Sequence, residues 1–215
     1  MIDQLFFFSA VLLIILDLYM LSTSRLTSLI RAAAIQGAMI SAFPFLVSHL
    51  HFSVHVVALG LGCFLVKGIL IPHFLFRALR GENIAREEAP FIGYTVSILY
   101  GIAAISFSFW LMRKIPSSPF LPSPLQASVA LAMGFMGFFL IIARRKAISQ
   151  VVGYLVLENA TFMLGISLSA VQPLLVEMGV LLDVLVGVFI MGIVIHHIRS
   201  EYDSILTDRL EQLRQ

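Results

Sequence analysis

Cysteine is nearly absent. Cys63 is the only one in 215 residues, which excludes a disulfide within the chain and a metal cluster held by its own thiolates. Charge is almost as scarce: Asp, Glu, Lys and Arg make up 12% of the residues, about half the share of an ordinary soluble domain. The net charge of +2 is too small for a surface that binds nucleic acid. No nucleophile–base arrangement, phosphate loop or set of metal ligands stands out, so an enzyme in its own right is not expected. The first twenty residues have no basic leading segment and no small-x-small cleavage signal, and they read as a retained first span rather than a signal peptide.

What the chain does have is apolar length. It is 60% hydrophobic, with a mean hydropathy of +1.00. A membrane span takes about 20 apolar residues, and seven such segments follow one another: 2–22, 31–50, 54–76, 91–112, 125–142, 147–171 and 174–196. In lipid a backbone must satisfy its own hydrogen bonds, so all seven are expected to be helices. The fold class is all-α, a polytopic membrane protein of seven transmembrane helices with a short helical tail.

Basic residues fix the expected orientation, because Lys and Arg in short loops stay on the cytoplasmic side. Of the 14 Lys and Arg, all but Arg113, Lys114 and Lys67 fall on one side of the seven-span layout. Arg113 and Lys114 fall on the other, and Lys67 lies inside a span. The N-terminus is therefore expected outside and the C-terminus in the cytoplasm. The longest outer link, "KIPSSPFLPSP", is rich in proline and serine and suits an extended connector. It divides the chain into a four-helix bundle over residues 1–113, a linker over 114–124 and three more helices over 125–198. Pro44 and Pro72 are expected to kink or break spans two and three. Over residues 199–215, Tyr202, Leu206, Leu210 and Leu213 recur at helical spacing among charges, as in an amphipathic helix that docks on a partner or on lipid headgroups.

An ionisable side chain at the bilayer centre costs about 2.5 to 3.5 kcal/mol on insertion scales, so each one calls for a cause. In "VVGYLVLENATFML", Glu158 and Asn159 interrupt an apolar run. Glu158, Asp183 and Lys67 all fall within several ångströms of the midplane at about 1.5 Å per residue. Asp17 lies nearer the inner end of span one and Glu177 nearer the outer end of span seven. A purely structural role, as ion pairs holding helices together, is one reading. The other is a lateral relay, in which acids and a lysine at one depth exchange protons through intervening water held by Tyr154, Asn159 and Thr161. Spans six and seven share a short turn near Gln172 and Pro173, which places Glu158 and Asp183 within about one helical turn of the same height. His73, six residues after Lys67, joins the candidates if a break at Pro72 brings the two together. His49, His51 and His55 crowd an outer link without a fourth ligand and read as solvated interface, while His196 and His197 fall where span seven is expected to meet the cytoplasm.

The order "IIARRKAISQVVGYLVLENATFMLG", a short turn, "DVLVG" and a basic exit at "HHIRS" resembles the small three-helix K subunit of respiratory complex I and its relatives among cation/proton antiporter subunits. The whole layout, with four preceding helices and a tail, resembles hydrogenase-4 component E, a membrane subunit of the formate hydrogenlyase type. The resemblance implies a non-catalytic subunit of an energy-converting [NiFe] hydrogenase in the bacterial or archaeal cytoplasmic (inner) membrane. It would lie between a quinone-site-like module and antiporter-like subunits, with a peripheral hydrogenase arm beyond. The [NiFe] centre and iron–sulfur clusters are then expected in partner subunits and no cofactor in this one. The family's acid in the last helix falls on Asp183. Its acid in the middle helix falls on Leu155, and Glu158 stands three residues later, one turn along the same face.

Depth in the membrane and the resemblance together point to a proton path through Glu158, Asp183 and Lys67, with Asp17, His73 and Glu177 as further candidates. Two alternatives from other classes stay open. One is a stand-alone secondary cation/proton transporter, which the lack of an internal repeat disfavours. The other is a structural scaffold.

Overall fold

The computed structural model describes residues 2–47, 54–81, 90–115 and 124–168. These residues are helical throughout apart from short turns. Helix α1 is Ile2–Ser22, α2 Leu26–Ile40, α3 Phe43–Val47, α4 Val54–Cys63, α5 Ile71–Gly81, α6 Tyr94–Lys114, α7 Pro124–Ala143 and α8 Ala147–Leu168, with a π-helical segment, Phe64–Leu70, joining α4 to α5. Six stretches among the described residues are long and apolar enough to cross a membrane: Gln4–Ser22, Leu26–Phe45, Gly60–Leu79, Tyr94–Lys114, Pro124–Ala143 and Ala147–Gly165. The expected seventh span, 174–196, and the tail over 199–215 lie outside the described residues.

The outer surface is the inverse of a soluble protein's. Phe8, Leu99 and Ile142 are among the most exposed side chains, at 69%, 61% and 70%. Surface so rich in apolar side chains is at low free energy in contact with lipid or with the apolar surface of another membrane-embedded chain.

Helix boundaries follow local chemistry. Span two begins at Leu26, five residues before the expected start at Arg31. Arg31 is exposed on the outer face of the helix while Leu26, Leu29 and Ile30 are buried on the inner one, so the charge interrupts only the lipid-facing side of the turn. The helix stops at Ile40, and a two-residue turn leads into α3 with Pro44 in its first turn, where a missing N–H costs nothing. At Pro72 the chain does not break. A proline removes one i→i−4 bond and crowds the carbonyl four residues back. The wider π winding of Phe64–Leu70 accommodates this just before it, and the helix continues to Gly81.

Helix α1 packs against α2, α6 and α7, while α2 also meets α5, the π segment and α8. The tightest pairing is α7 with α8. A Cβ on Gly137 would meet Leu157 N at 2.7 Å, and one on Gly153 would meet Ile141 N at 2.9 Å, so only glycine at both positions lets the two backbones touch. At the turn between them Arg144 is fully buried. Its Nη2 donates to Leu21 O at 2.7 Å, and its guanidinium lies 4.5 Å from the centroid of the Tyr94 ring. It thereby satisfies a carbonyl at the C-terminal end of α1, which has no partner within the helix, and places its charge favourably on the helix dipole.

The apolar interior comes in two layers. One, near the end that carries Arg25, Arg77 and Arg144, includes Met20, Leu26, Ala33, Ile71, Leu140 and Val156. The other, toward the opposite end, includes Leu13, Ile40, Cys63, Met133, Ala160 and Phe162. Along α1, α2, the π segment and α8, five buried polar residues stand between the two layers: Asp17, Gln36, Lys67, Glu158 and Asn159.

A candidate proton-transfer site between two apolar layers

Four helical segments each bring one or two side chains to this polar layer. Asp17 and Gln36 are 0% exposed, Glu158 1%, Asn159 3% and Lys67 5%. Lys67 sits in the middle of the π segment, where the altered winding sets the direction of its side chain. It approaches α2 at Gly37, where a Cβ would meet the Lys67 Cβ at 2.8 Å. Any larger residue at 37 would push the lysine's backbone away from the layer.

The contacts run in one unbroken line. Lys67 Nζ forms an ion pair with Glu158 Oε1 and donates to Asn159 Oδ1 at 3.2 Å. Asn159 Nδ2 donates to Gln36 Oε1 at 3.3 Å, and Gln36 Nε2 donates to Asp17 Oδ1 at 2.7 Å. Phe162 adds an aromatic face, its ring centroid 5.3 Å from the ammonium. Asp17 Oδ2 has no hydrogen-bond partner among the described residues. Counted at about 1.5 Å per residue, Gln36 lies about 15 Å along α2 from its start and Glu158 about 17 Å along α8. These depths are close to half the hydrocarbon thickness.

Of the residues singled out in the sequence, Lys67, Glu158 and Asp17 converge here. His73 does not. It is exposed and edge-on to Phe74, because the π segment widens the helix rather than breaking it at Pro72. Thr161, one of the expected water-holding neighbours, faces outward and donates to Leu157 O in its own helix at 2.9 Å. Tyr154 is half-buried against the apolar layer nearer Arg144. Asp183, Glu177 and the histidines His49, His51, His196 and His197 lie outside the described residues, and His55 falls in α4 with its side chain outside them. Among the described residues, no three of His, Cys, Asp and Glu come together as metal ligands.

Gln36 went unremarked in the sequence, since it carries no charge. The available signal is positional: it lies on the buried face of α2, among Leu29, Ala32, Ala33, Gly37 and Ile40. Every other member of that face from Leu26 onward is apolar.

This chain has relatives. It is 29% identical over 191 residues, 88% of its length and 86% of the relative's, to the uncharacterized protein Rv0085 of Mycobacterium tuberculosis. It is also 25% identical over 156 residues, 70% of each chain, to hydrogenase-4 component E of Escherichia coli K12, and equally to that of Shigella flexneri. The link to hydrogenase-4 component E is thus a distant one. No family model and no solved structure matches the chain.

In chemical terms the layer joins an amine and two carboxyl groups, all of them buried. Lys67 and Glu158 touch directly, so a proton can pass between them with little nuclear movement. Asp17 reaches them only through two carboxamides.

Proposed function

We propose that this chain is a non-catalytic membrane subunit of an energy-converting [NiFe] hydrogenase or similar complex-I-like assembly, and that Lys67 and Glu158 belong to its proton-translocation path. The reading rests on one observation above all: a lysine and a glutamate from different helices paired at mid-depth between two apolar layers. A buried ion pair costs desolvation that its own attraction barely repays, and a resident pair that can neutralise by proton exchange has a use for that cost. The similarity to hydrogenase-4 component E supports the assembly. It also supports placement in the inner membrane, and the bias of basic residues supports the end carrying Arg25, Arg77 and Arg144 as the cytoplasmic one.

In this reading redox chemistry, with its [NiFe] centre and iron–sulfur clusters, belongs to a peripheral arm. Antiporter-like and quinone-site-like membrane subunits flank the chain. Asp183, in the expected seventh span, extends the path from Glu158, with Glu177 as an outlying member.

Glu158→Gln tests the proposal. It preserves shape and one hydrogen-bond acceptor and removes the titratable proton. In the native assembly reconstituted into vesicles, redox turnover should persist while proton translocation per turnover falls by about 10²-fold, the scale of a lost general acid–base group. Wild-type translocation stoichiometry in that variant would sink the reading.

A further inference from the structure

The line from Lys67 to Asp17 has a single sense. An ammonium only donates and a carboxylate only accepts, while a carboxamide offers one accepting oxygen and one donating nitrogen. With Lys67 at one end and Asp17 at the other, Asn159 and Gln36 have one orientation that satisfies every contact: oxygen toward Lys67, nitrogen toward Asp17. All three links between Lys67 and Asp17 take that sense. Neither amide titrates near neutral pH, so neither can accept a proton on one side and release another on the far side as a relay member does.

We infer that Gln36 and Asn159 are positioning residues, an amide bridge through which the charge on Asp17 governs how Lys67 divides its bonding between Asn159 and Glu158. The inference deepens the proposed role of the Lys67–Glu158 pair and rests on it for its functional meaning.

The physical route is polarisation. A carboxylate at Asp17 makes its bond from Gln36 charge-assisted. In a low-dielectric interior each bond of a chain strengthens the next, so the charge makes Asn159 Oδ1 a better acceptor for Lys67. The ammonium then leans toward Asn159 and its hold on Glu158 loosens. Neutralising Asp17 reverses this, and the Lys67–Glu158 pair tightens. Asp17 is suited to the task because its Oδ1 bond is to Gln36, and its Oδ2 has no hydrogen-bond partner among the described residues.

The chain contains three lysines, Lys67, Lys114 and Lys146, so full-length protein labelled with ¹⁵N at the lysine ζ position gives three assignable lysine signals, and a second sample labelled with ¹⁵N at the Asn and Gln side-chain nitrogens gives the amide signals. The test compares wild type with Asp17→Asn in lipid nanodiscs, reading the ζ nitrogen of Lys67 together with the side-chain amide signals of Gln36 and Asn159. Asparagine keeps an acceptor for Gln36, so the fold is retained; Asp17→Ser serves if it is not. The expected result is a shift of all three signals, with those of Lys114 and Lys146 unmoved. A Lys67 signal that stays in place overturns the inference. So does a Lys67 shift without movement of the amides, since the charge would then act through space. Translocation plays no part in this readout, so its failure is distinguishable from failure of Glu158→Gln to uncouple the assembly.

Discussion

Helix α8 is held on two faces by opposite means. Toward α7 it presents Gly153, and the backbones meet directly there and at Gly137. Toward α2 and the π segment it presents Glu158 and Asn159, and the contact is a buried ion pair and amide bonds. Were adhesion the only demand, the first solution would serve on both faces. Close glycine packing gains dispersion contacts without desolvating a charge. The second face uses the costlier chemistry where a cheaper one stands a few residues away in the same helix. That contrast weighs against reading the whole layer as scaffold.

The largest effect expected comes from breaking the polar face by half. Lys67→Met leaves Glu158 buried without its cation, and removing one partner of a buried pair costs about 3–5 kcal/mol. The full chain in detergent should lose thermal stability accordingly, and the assembly should form in low yield. A Lys67→Met protein as stable as wild type would show that Glu158 is already neutral and that the contact is an ordinary hydrogen bond.

Breaking the other face should cost less. In Gly153→Ala the new methyl meets Ile141 N at 2.9 Å and Gly137 O at 3.0 Å, backbone atoms that cannot swing aside, and overpacking of this kind costs about 1–3 kcal/mol. Its signature should differ as well: stability falls, while translocation per turnover in whatever assembles stays near wild type. If Gly153→Ala uncoupled redox chemistry from translocation as strongly as Glu158→Gln, the two faces of α8 would not be separable in function.

Much of this was legible in the sequence, and the omissions have physical causes. The six described spans follow from apolar length alone, since lipid leaves the backbone few options. Lys67 and Glu158 stand out for the cost of charge at their depth, and Asp17 for its presence in a span at all. Gln36 escaped because an amide in a span costs far less than a charge and gives hydropathy little to register. The π winding around Lys67 escaped because it resides in the backbone, and proline at 72 signals a perturbed helix without saying whether it bends, breaks or widens. Arg144 counts the same toward orientation whether it faces water or caps α1, so its burial left no trace. Asp183 lies outside the described residues.

The smallest expected change in stability separates adhesion from proton transfer most cleanly. Lys67→Gln with Glu158→Gln removes both charges and keeps donors and acceptors at both positions, so Asn159 Oδ1 retains a partner and neither position leaves the other as an unpaired buried charge. Replacing a buried ion pair by neutral, well-satisfied groups is often neutral or stabilising, and the double variant should lie within about 1 kcal/mol of wild type, well above either single loss of charge. Under a scaffold reading it should then work normally, since the helices remain joined. Under the proton-path reading it should be stable, assembled and redox-active while translocating no protons through this layer, because neither glutamine can bind or release one near neutral pH. Thermal unfolding of the full chain, with turnover and translocation of the assembly in vesicles, decides between them. A stable double variant that pumps with wild-type stoichiometry would return the whole layer to structure.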